Sequence, residues 1–386
     1  MANRTARLDQ VLTVFRRWLY LPDSGMVEIA LATVAANRIR GDPVWLLLTG
    51  PPSSGKTETL NALLRLPSMY PVATLTEAAL LSGTSRRDRT PDATGGLLCE
   101  IGGFGIIVLK DFTSILSMNR DKRQALLAAL REVYDGAWTR PVGVDGGLRL
   151  EWSGKVGLIG GVTSAIDSAH AVMSSMGQRF AQYRLPRTDA DLQARRAIEK
   201  TGSEEAMRAE LAGAVLDFFA GLDFERSPHL SAADRDWIVP LTTLVATCRS
   251  AVERNSHSRE IELIHDPEAP ARLTRMFAQL VRGLQLIGAS ARRQRELIVK
   301  VGLDCIPPVR RLALEALLKQ SNPLTTAEIA EGAGYPEQTI RRALQDLKCH
   351  GIVEACAPHS IVDRWCVASY WKGQFEIARG AFPKCH

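Results

Sequence analysis

The segment Gly50-Pro51-Pro52-Ser53-Ser54-Gly55-Lys56-Thr57 fits the GxxxxGK[ST] pattern, and it constrains this chain more than any other feature. It follows the apolar run Val44-Trp45-Leu46-Leu47-Leu48 and precedes a helical stretch from Lys56 to about Leu66, so it reads as strand, phosphate loop, helix. The glycines let backbone N–H groups curl around phosphate oxygens. Lys56 is placed to reach the β- and γ-phosphates, and the Thr57 hydroxyl to ligate magnesium. ATP with Mg2+ is the implied cofactor, bound by residues 50 to 57.

Further short apolar runs at 72–75, 105–109 and 156–162 alternate with helical patterns such as 121–134. That alternation predicts an α/β core with a mostly parallel sheet covered on both faces. Two helices from Leu8 to Leu19 and from about Met26 to Ala36 form a lead-in over 1–40, and the core runs over 41–188. Residues 189–302 read as a helical lid. The Ile306-Pro307-Pro308 break opens a last unit over 303–386. There, a helix at 309–319, a capping box at Thr325 to Glu328, a third helix from about Pro336 to Lys348 and apolar runs at 352–356 and 365–369 predict a winged helix-turn-helix. On the third helix Ile340, Ala343, Leu344 and Leu347 face one way, and Gln338, Arg341, Arg342 and Gln345 another. Gln338, Arg341 and Arg342 are the expected DNA contacts; the alternative is a protein-docking surface.

A P-loop needs an acid nearby. The buried run Ile106 to Leu109 ends in Lys110-Asp111-Phe112, with lysine where the first acid of an Asp-Glu pair would align and Asp111 where the second would. Asp111 is expected to organise magnesium, polarise the attacking water, or both; the plainer alternative is that it caps the following helix. Glu100 and Glu77 are the reserve acids. Thr163, ending the 156–162 run, is placed to sense the γ-phosphate. Arg179, with Arg184 in reserve, is the candidate for reaching a nucleotide held by a neighbouring subunit.

The order of these elements resembles AAA+ ATPases. More narrowly, Gly95 to Gly103 leading into Lys110-Asp111-Phe112, and the run Thr139 to Trp152, are similar to minichromosome-maintenance helicases. That resemblance implies a homo-oligomer, as a hexameric ring, and a hairpin whose Arg140 and Arg149 meet DNA. It also implies that Arg272, in Ala271-Arg272-Leu273, is a further γ-phosphate contact. The expected function is a DNA-binding ATPase, either a helicase or a helicase loader and replication initiator of a mobile element or phage. The alternative is an ATP-controlled switch in transcription, transposition or defence that does not unwind DNA.

Composition agrees with a phosphate-rich partner: a net charge of +6 with ten Lys against 38 Arg. The seven cysteines, odd in number and without a CxxC pair, are expected to be reduced, and Cys349, His350, Cys356, His359 and Cys366 lack the spacing of a zinc site. No run is long enough to cross a bilayer, and a cytoplasmic location is expected.

Overall fold

The computed structural model describes residues 2–83, 95–143, 147–168, 177, 179–186, 188–255, 257–356 and 363–380. The chain divides into two compact units, one of residues 1–229 with 279–294 and the other of residues 230–278 with 295–386. This departs from the expected single lid over 189–302, whose parts fall in both units.

In the first unit, helices α1 (Ala2–Trp18) and α2 (Gly25–Arg38) lead to β1 (Trp45–Thr49), α3 (Lys56–Leu63), β2 (Met69–Val72), α4 (Glu77–Leu80), α5 (Leu97–Ile101), β3 (Phe104–Leu109) and α6 (Thr113–Leu116). There follow α7 (Arg120–Asp135), the antiparallel pair β4 (Ala137–Val142) and β5 (Leu148–Ser153), β6 (Lys155–Val162), α8 (Ala165–Ser168), β7 (Phe180–Arg184), α9 (Ala190–Glu199) and α10 (Glu204–Ala220). Five strands form one parallel sheet in the order β2-β3-β6-β1-β7. Every residue of β1 is buried, as a strand covered on both faces requires. β2 starts earlier than the 72–75 run suggested, and it accommodates Pro71 because it is an edge strand that need not donate on its outer side.

α2 is buried from Gly25 to Asn37 and packs on β6 and β1. Asn37 ties its end to the sheet, donating from Nδ2 to the Val44 carbonyl at 2.9 Å while its Oδ1 accepts from the Val44 N–H at 2.9 Å. A Cβ on Gly157 would lie 2.6 Å from the Asn37 carboxamide, so β6 needs glycine there. α10 packs against α1 and α3, which brings the start of the expected lid onto the phosphate-loop helix.

The second unit contains α11 (Ala232–Arg249), begun by a Ser231/Asp234 capping box, and an antiparallel hairpin of β8 (Val252–Arg254) and β9 (Ile261–Ile264) that the helical patterning of this region did not suggest. Helices α12 (Ala271–Ile287) and α13 (Ala291–Asp304) each begin in one unit and end in the other. Next come α14 (Pro308–Lys319), β10 (Leu324–Thr325), α15 (Thr326–Ala333), α16 (Glu337–Cys349), β11 (Val353–Ala355), β12 (Arg364–Val367) and α17 (Ser369–Arg379). The Thr325/Glu328 capping box is formed on both sides, and Gly334 ends α15 in the left-handed conformation at φ 67°. α16 buries Ile340, Ala343, Leu344 and Leu347, and each leucine or isoleucine so buried stabilises the unit by about 1.5–3 kcal/mol. β10, β12 and β11 make a three-stranded wing.

The expectation that all cysteines are reduced is corrected. Cys356 and Cys366 form a disulfide: β11–β12 pairing sets Cys366 opposite Glu354 and continues with the Cys356 N–H donating to the Arg364 carbonyl at 2.8 Å, so the two cysteines are diagonal neighbours with Cα atoms 6.4 Å apart. Cys99, Cys248, Cys305 and Cys349 are free thiols; His359 and Cys385 lie outside the described residues. Among the described residues no helix is long and apolar enough to cross a membrane.

Candidate functional site

The carboxyl ends of β1, β6 and β3 lie side by side, and each delivers one candidate residue. From β1 the chain enters the phosphate loop, where Ser53 (φ 60°) and Gly55 (φ 82°) both take left-handed backbone conformations. Such alternation turns successive N–H groups toward one concavity, which suits an anion. The Lys56 ammonium donates to the Gly50 carbonyl at 2.8 Å, the Pro51 carbonyl at 2.6 Å and Ser54 Oγ at 3.0 Å. Burial pushes the Lys56 ammonium below its ordinary value, and the Asp111 charge partly opposes that.

Asp111 and Thr163 flank this loop. The Phe112 N–H donates to the Gly161 carbonyl at 2.7 Å, and a Cβ on Gly161 would lie 2.8 Å from the Lys110 carbonyl, so the Asp111 turn rests directly on β6. Asp111 Oδ1 accepts from the Thr113 N–H at 2.9 Å, two residues on, while the N-cap position of α6 is held by Phe112, which makes no side-chain cap bond. The Thr113 and Thr163 hydroxyls lie 3.4 Å apart, linking the two strand ends.

These residues line a cavity of about 580 Å³, within the range of a small-molecule site. Its polar end holds Lys56, Thr57, Lys110, Asp111 and Thr163, and its other end is made by residues that the sequence patterns did not single out. Among these are Trp18, which ends α1, Tyr20 just after it, Gln193 and Arg196 on α9, and Lys200 at the C-cap of α9. Lys200 sits 5.0 Å over the Trp18 ring and Arg196 sits 5.5 Å over Tyr20, while Gln193 Nε2 donates to the Ser53 carbonyl at 2.5 Å. The signal available in the sequence was the Trp18-Leu19-Tyr20 cluster just before the Leu21-Pro22 break. Lys56, Lys110, Arg196 and Lys200 face Glu58, Asp111 and Glu204 across this cavity, a net positive lining that suits a polyphosphate.

The candidate arginines are placed differently. Arg179 is buried, its guanidinium 2.7 Å from the Asp135 carboxylate and 5.5 Å over the Tyr134 ring. Arg184 makes a two-pronged pair with Asp167 at 2.9 and 2.6 Å. Arg140 pairs with Glu77 at 3.0 Å and also donates to the Leu81 carbonyl, whereas Arg149, opposite Pro141 in the β4–β5 pair, is exposed. Arg272 belongs to the second unit, with Glu268 3.7 Å from its guanidinium. Of the reserve acids, Glu77 serves Arg140 and Glu100 is exposed on α5.

In the second unit Gln338 is exposed and Arg341, partly exposed, pairs with Glu337 at 2.8 Å. Arg342 and Gln345 line a groove that α16 shares with the β8–β9 hairpin. One buried network joins these parts. Asp346 accepts from Arg254 at 2.7 Å and from Arg310 at 3.0 Å, and Arg310 in turn donates to the Cys248 and Ser250 carbonyls at 3.1 and 2.6 Å.

Residues 310–355 match the model of the DeoR-like helix-turn-helix domain. The match spans α14 to β11 and gives this unit a helix-turn-helix domain of a DNA-binding kind. Comparison with curated proteins finds no match. Among solved structures, the chain is similar to a candidate ATPase from Cytophaga hutchinsonii, with 13% identity and a TM-score of 0.39 over 79% of this chain and 87% of that one. It is also similar to the C-terminal region of NrS-1: 15% identity and a TM-score of 0.25 over 54% of this chain and 45% of that one. A second structure of that region, residues 305–718, gives 12% identity and a TM-score of 0.29 over 94% of this chain and 75% of that one.

Proposed function

We propose that this chain is an ATPase of the AAA+ type that works on DNA as a homo-oligomer, as a helicase loader or replication initiator rather than a processive helicase. The observation that carries the proposal is the convergence of Lys56, Asp111 and Thr163 at three adjacent strand ends around one cationic cavity. The residues fit a magnesium nucleotide. The loop offers N–H groups at left-handed turns, and Thr57 supplies a hydroxyl beside the Asp111 carboxylate. No group of three His, Cys, Asp or Glu side chains able to hold a metal occurs among the described residues. Mg2+ is commonly held by one or two protein ligands plus phosphates and water.

Bound ATP would supply the phosphoryl group whose transfer to water drives the work. Lys56 would neutralise phosphate charge and the Thr57 hydroxyl would ligate the metal, while Asp111, whose Oδ1 accepts from the Thr113 N–H, has its other oxygen either to hold the metal or to polarise the attacking water. Thr163 would orient the terminal phosphate, and Trp18 and Tyr20 would shield the cavity from water. Lys110, placed where a first acid is usual, leaves one carboxylate for two roles and supports slow turnover. The engagement of Arg140 by Glu77 and Leu81 supports a hairpin that does not track along DNA.

The alternative, a regulatory switch that binds ATP without a neighbour's arginine, draws support from the Arg179–Asp135 pair. ATP turnover measured with and without DNA, beside strand displacement on a forked duplex, tests the proposal. DNA-stimulated turnover without displacement is expected. Robust displacement would make the chain a helicase, and ATP binding with no turnover would favour the switch.

A further inference from the structure

The groove between α16 and the β8–β9 hairpin has a volume of about 560 Å³ and lies wholly within the second unit. Its floor is Gln338, Arg342 and Gln345, three residues of the face expected to read DNA. Its wall is the hairpin, with Ser258 and Arg259 at the turn. The hairpin is held at a fixed position against the helix, since Arg254 donates to the Arg342 carbonyl at 3.3 Å, to Gln345 Oε1 at 3.2 Å and to Asp346 at 2.7 Å. Arg254 also donates to the Arg259 carbonyl at 2.9 Å, which fixes the turn.

Charge in the groove is one-sided. Asp346 compensates Arg254, so Arg259, Arg342 and Lys348 remain against a single groove carboxylate, Glu260. Arg259 is exposed, lines the groove and holds a left-handed backbone at φ 62°. The Nε of Arg342 is buried with no hydrogen-bond partner among the described residues. An unmet donor of this kind costs about 1–3 kcal/mol. Arginine forks in a polar groove beside a helix-turn-helix reading face match the geometry of phosphate oxygens.

We infer that the β8–β9 hairpin is a second wing: it grips the phosphate backbone of duplex DNA in the groove it shares with α16, with Arg259 and Arg342 as the phosphate contacts. This rests on the reading of the helix-turn-helix as a DNA-binding module and extends the interface to a segment some fifty residues upstream of the matched domain. The hairpin fixes register along the backbone, while Gln338 and Arg341 remain for the groove edge of the bases.

The test uses the full chain and fluorescence anisotropy with a labelled duplex across a salt series. Arg259→Gly suits it, because glycine accepts the left-handed backbone and Arg259 buries no apolar surface. Arg341→Ala serves as the comparison on α16. Loss of one phosphate contact lowers the slope of log K against log salt by about 0.9. Between 50 and 200 mM salt the affinity of Arg259→Gly should therefore fall about 3-fold less than that of the parent, and at low salt Arg259→Gly should bind more weakly than the parent. Parent-like affinity and slope in Arg259→Gly, together with weakened binding in Arg341→Ala, would overturn the second wing while leaving the DNA-binding reading intact. Tighter binding by Arg259→Gly would overturn it in another way, showing that the hairpin covers the reading face. No duplex binding by the parent at low salt would remove both.

Discussion

Asp346→Ala should loosen the helix-turn-helix without unfolding the first unit. Asp346 is 16% exposed and is shared between Arg254, at 15%, and Arg310, at 10%. Removing the carboxylate leaves two largely buried guanidinium groups facing each other without their common anion. Breaking a buried pair in this way costs about 3–5 kcal/mol. Both arginines keep other acceptors, Arg310 at the Cys248 and Ser250 carbonyls and Arg254 at the Arg342 carbonyl, Arg259 carbonyl and Gln345. The low end, about 3 kcal/mol, is therefore expected, which is about a 100-fold change in a local opening equilibrium. Hydrogen exchange read by mass spectrometry reports such openings element by element. Protection of the α16 amides should fall about 100-fold while that of β1 is unchanged. Unaltered α16 protection would refute the network's role, and an equal loss in β1 would refute the assignment of the network to the second unit alone.

Gly161→Ala should push the Lys110 carbonyl, which a Cβ would approach to 2.8 Å, and so displace Asp111. Turnover is expected to fall at least about 10-fold while nucleotide affinity stays within about 3-fold, since overpacking of about 1–3 kcal/mol falls on the Asp111 turn and not on the loop; isothermal calorimetry and a phosphate-release assay check both. Asp23 shows a pH dependence of definite sign. Burial pushes its carboxyl up, but hydrogen bonds and charge from Arg293 and a bond from Tyr183 outweigh burial and hold it below its ordinary value of 3.8. The stability it contributes is therefore present above that ordinary value and lost as pH falls through the lowered one. Asp23→Asn should cost about 1 kcal/mol near pH 7, allowing for solvent screening of a partly exposed pair, and the gap should narrow as pH falls below 3.8, as read by urea denaturation. A gap that did not narrow with falling pH would argue against the ion pair as its source.

Much of the first unit was legible because fully buried parallel strands must be continuous apolar runs, as at Ile106 to Leu109 and Val156 to Val162. The loop from Gly50 to Thr57 was legible for another reason: its glycines, lysine and threonine act together over eight consecutive residues. What escaped depends on contacts between distant segments. No local pattern around Arg179 announces Asp135, 44 residues earlier, as its partner. The β8–β9 hairpin was missed because β8, though alternating, has only three residues, and β9 is exposed along its length. Arg254 holds it to Asp346, 92 residues away. The split of the expected lid escaped similarly, since nothing in the sequence of α10 says which segment it packs on, and only its packing on α1 and α3 assigns it to the first unit. The disulfide was hidden by parity, because an odd count of cysteines says nothing of which two the wing aligns.

The central claim is that Lys56, Asp111 and Thr163 form one ATP-hydrolysing site coupled to DNA, and the measurement that meets it most directly is steady-state phosphate release by the full chain with and without duplex DNA, beside Lys56→Ala and Asp111→Asn. The account predicts slow turnover that DNA accelerates, none in Lys56→Ala, and nucleotide binding without turnover in Asp111→Asn. Turnover in Lys56→Ala equal to that of the parent would contradict it.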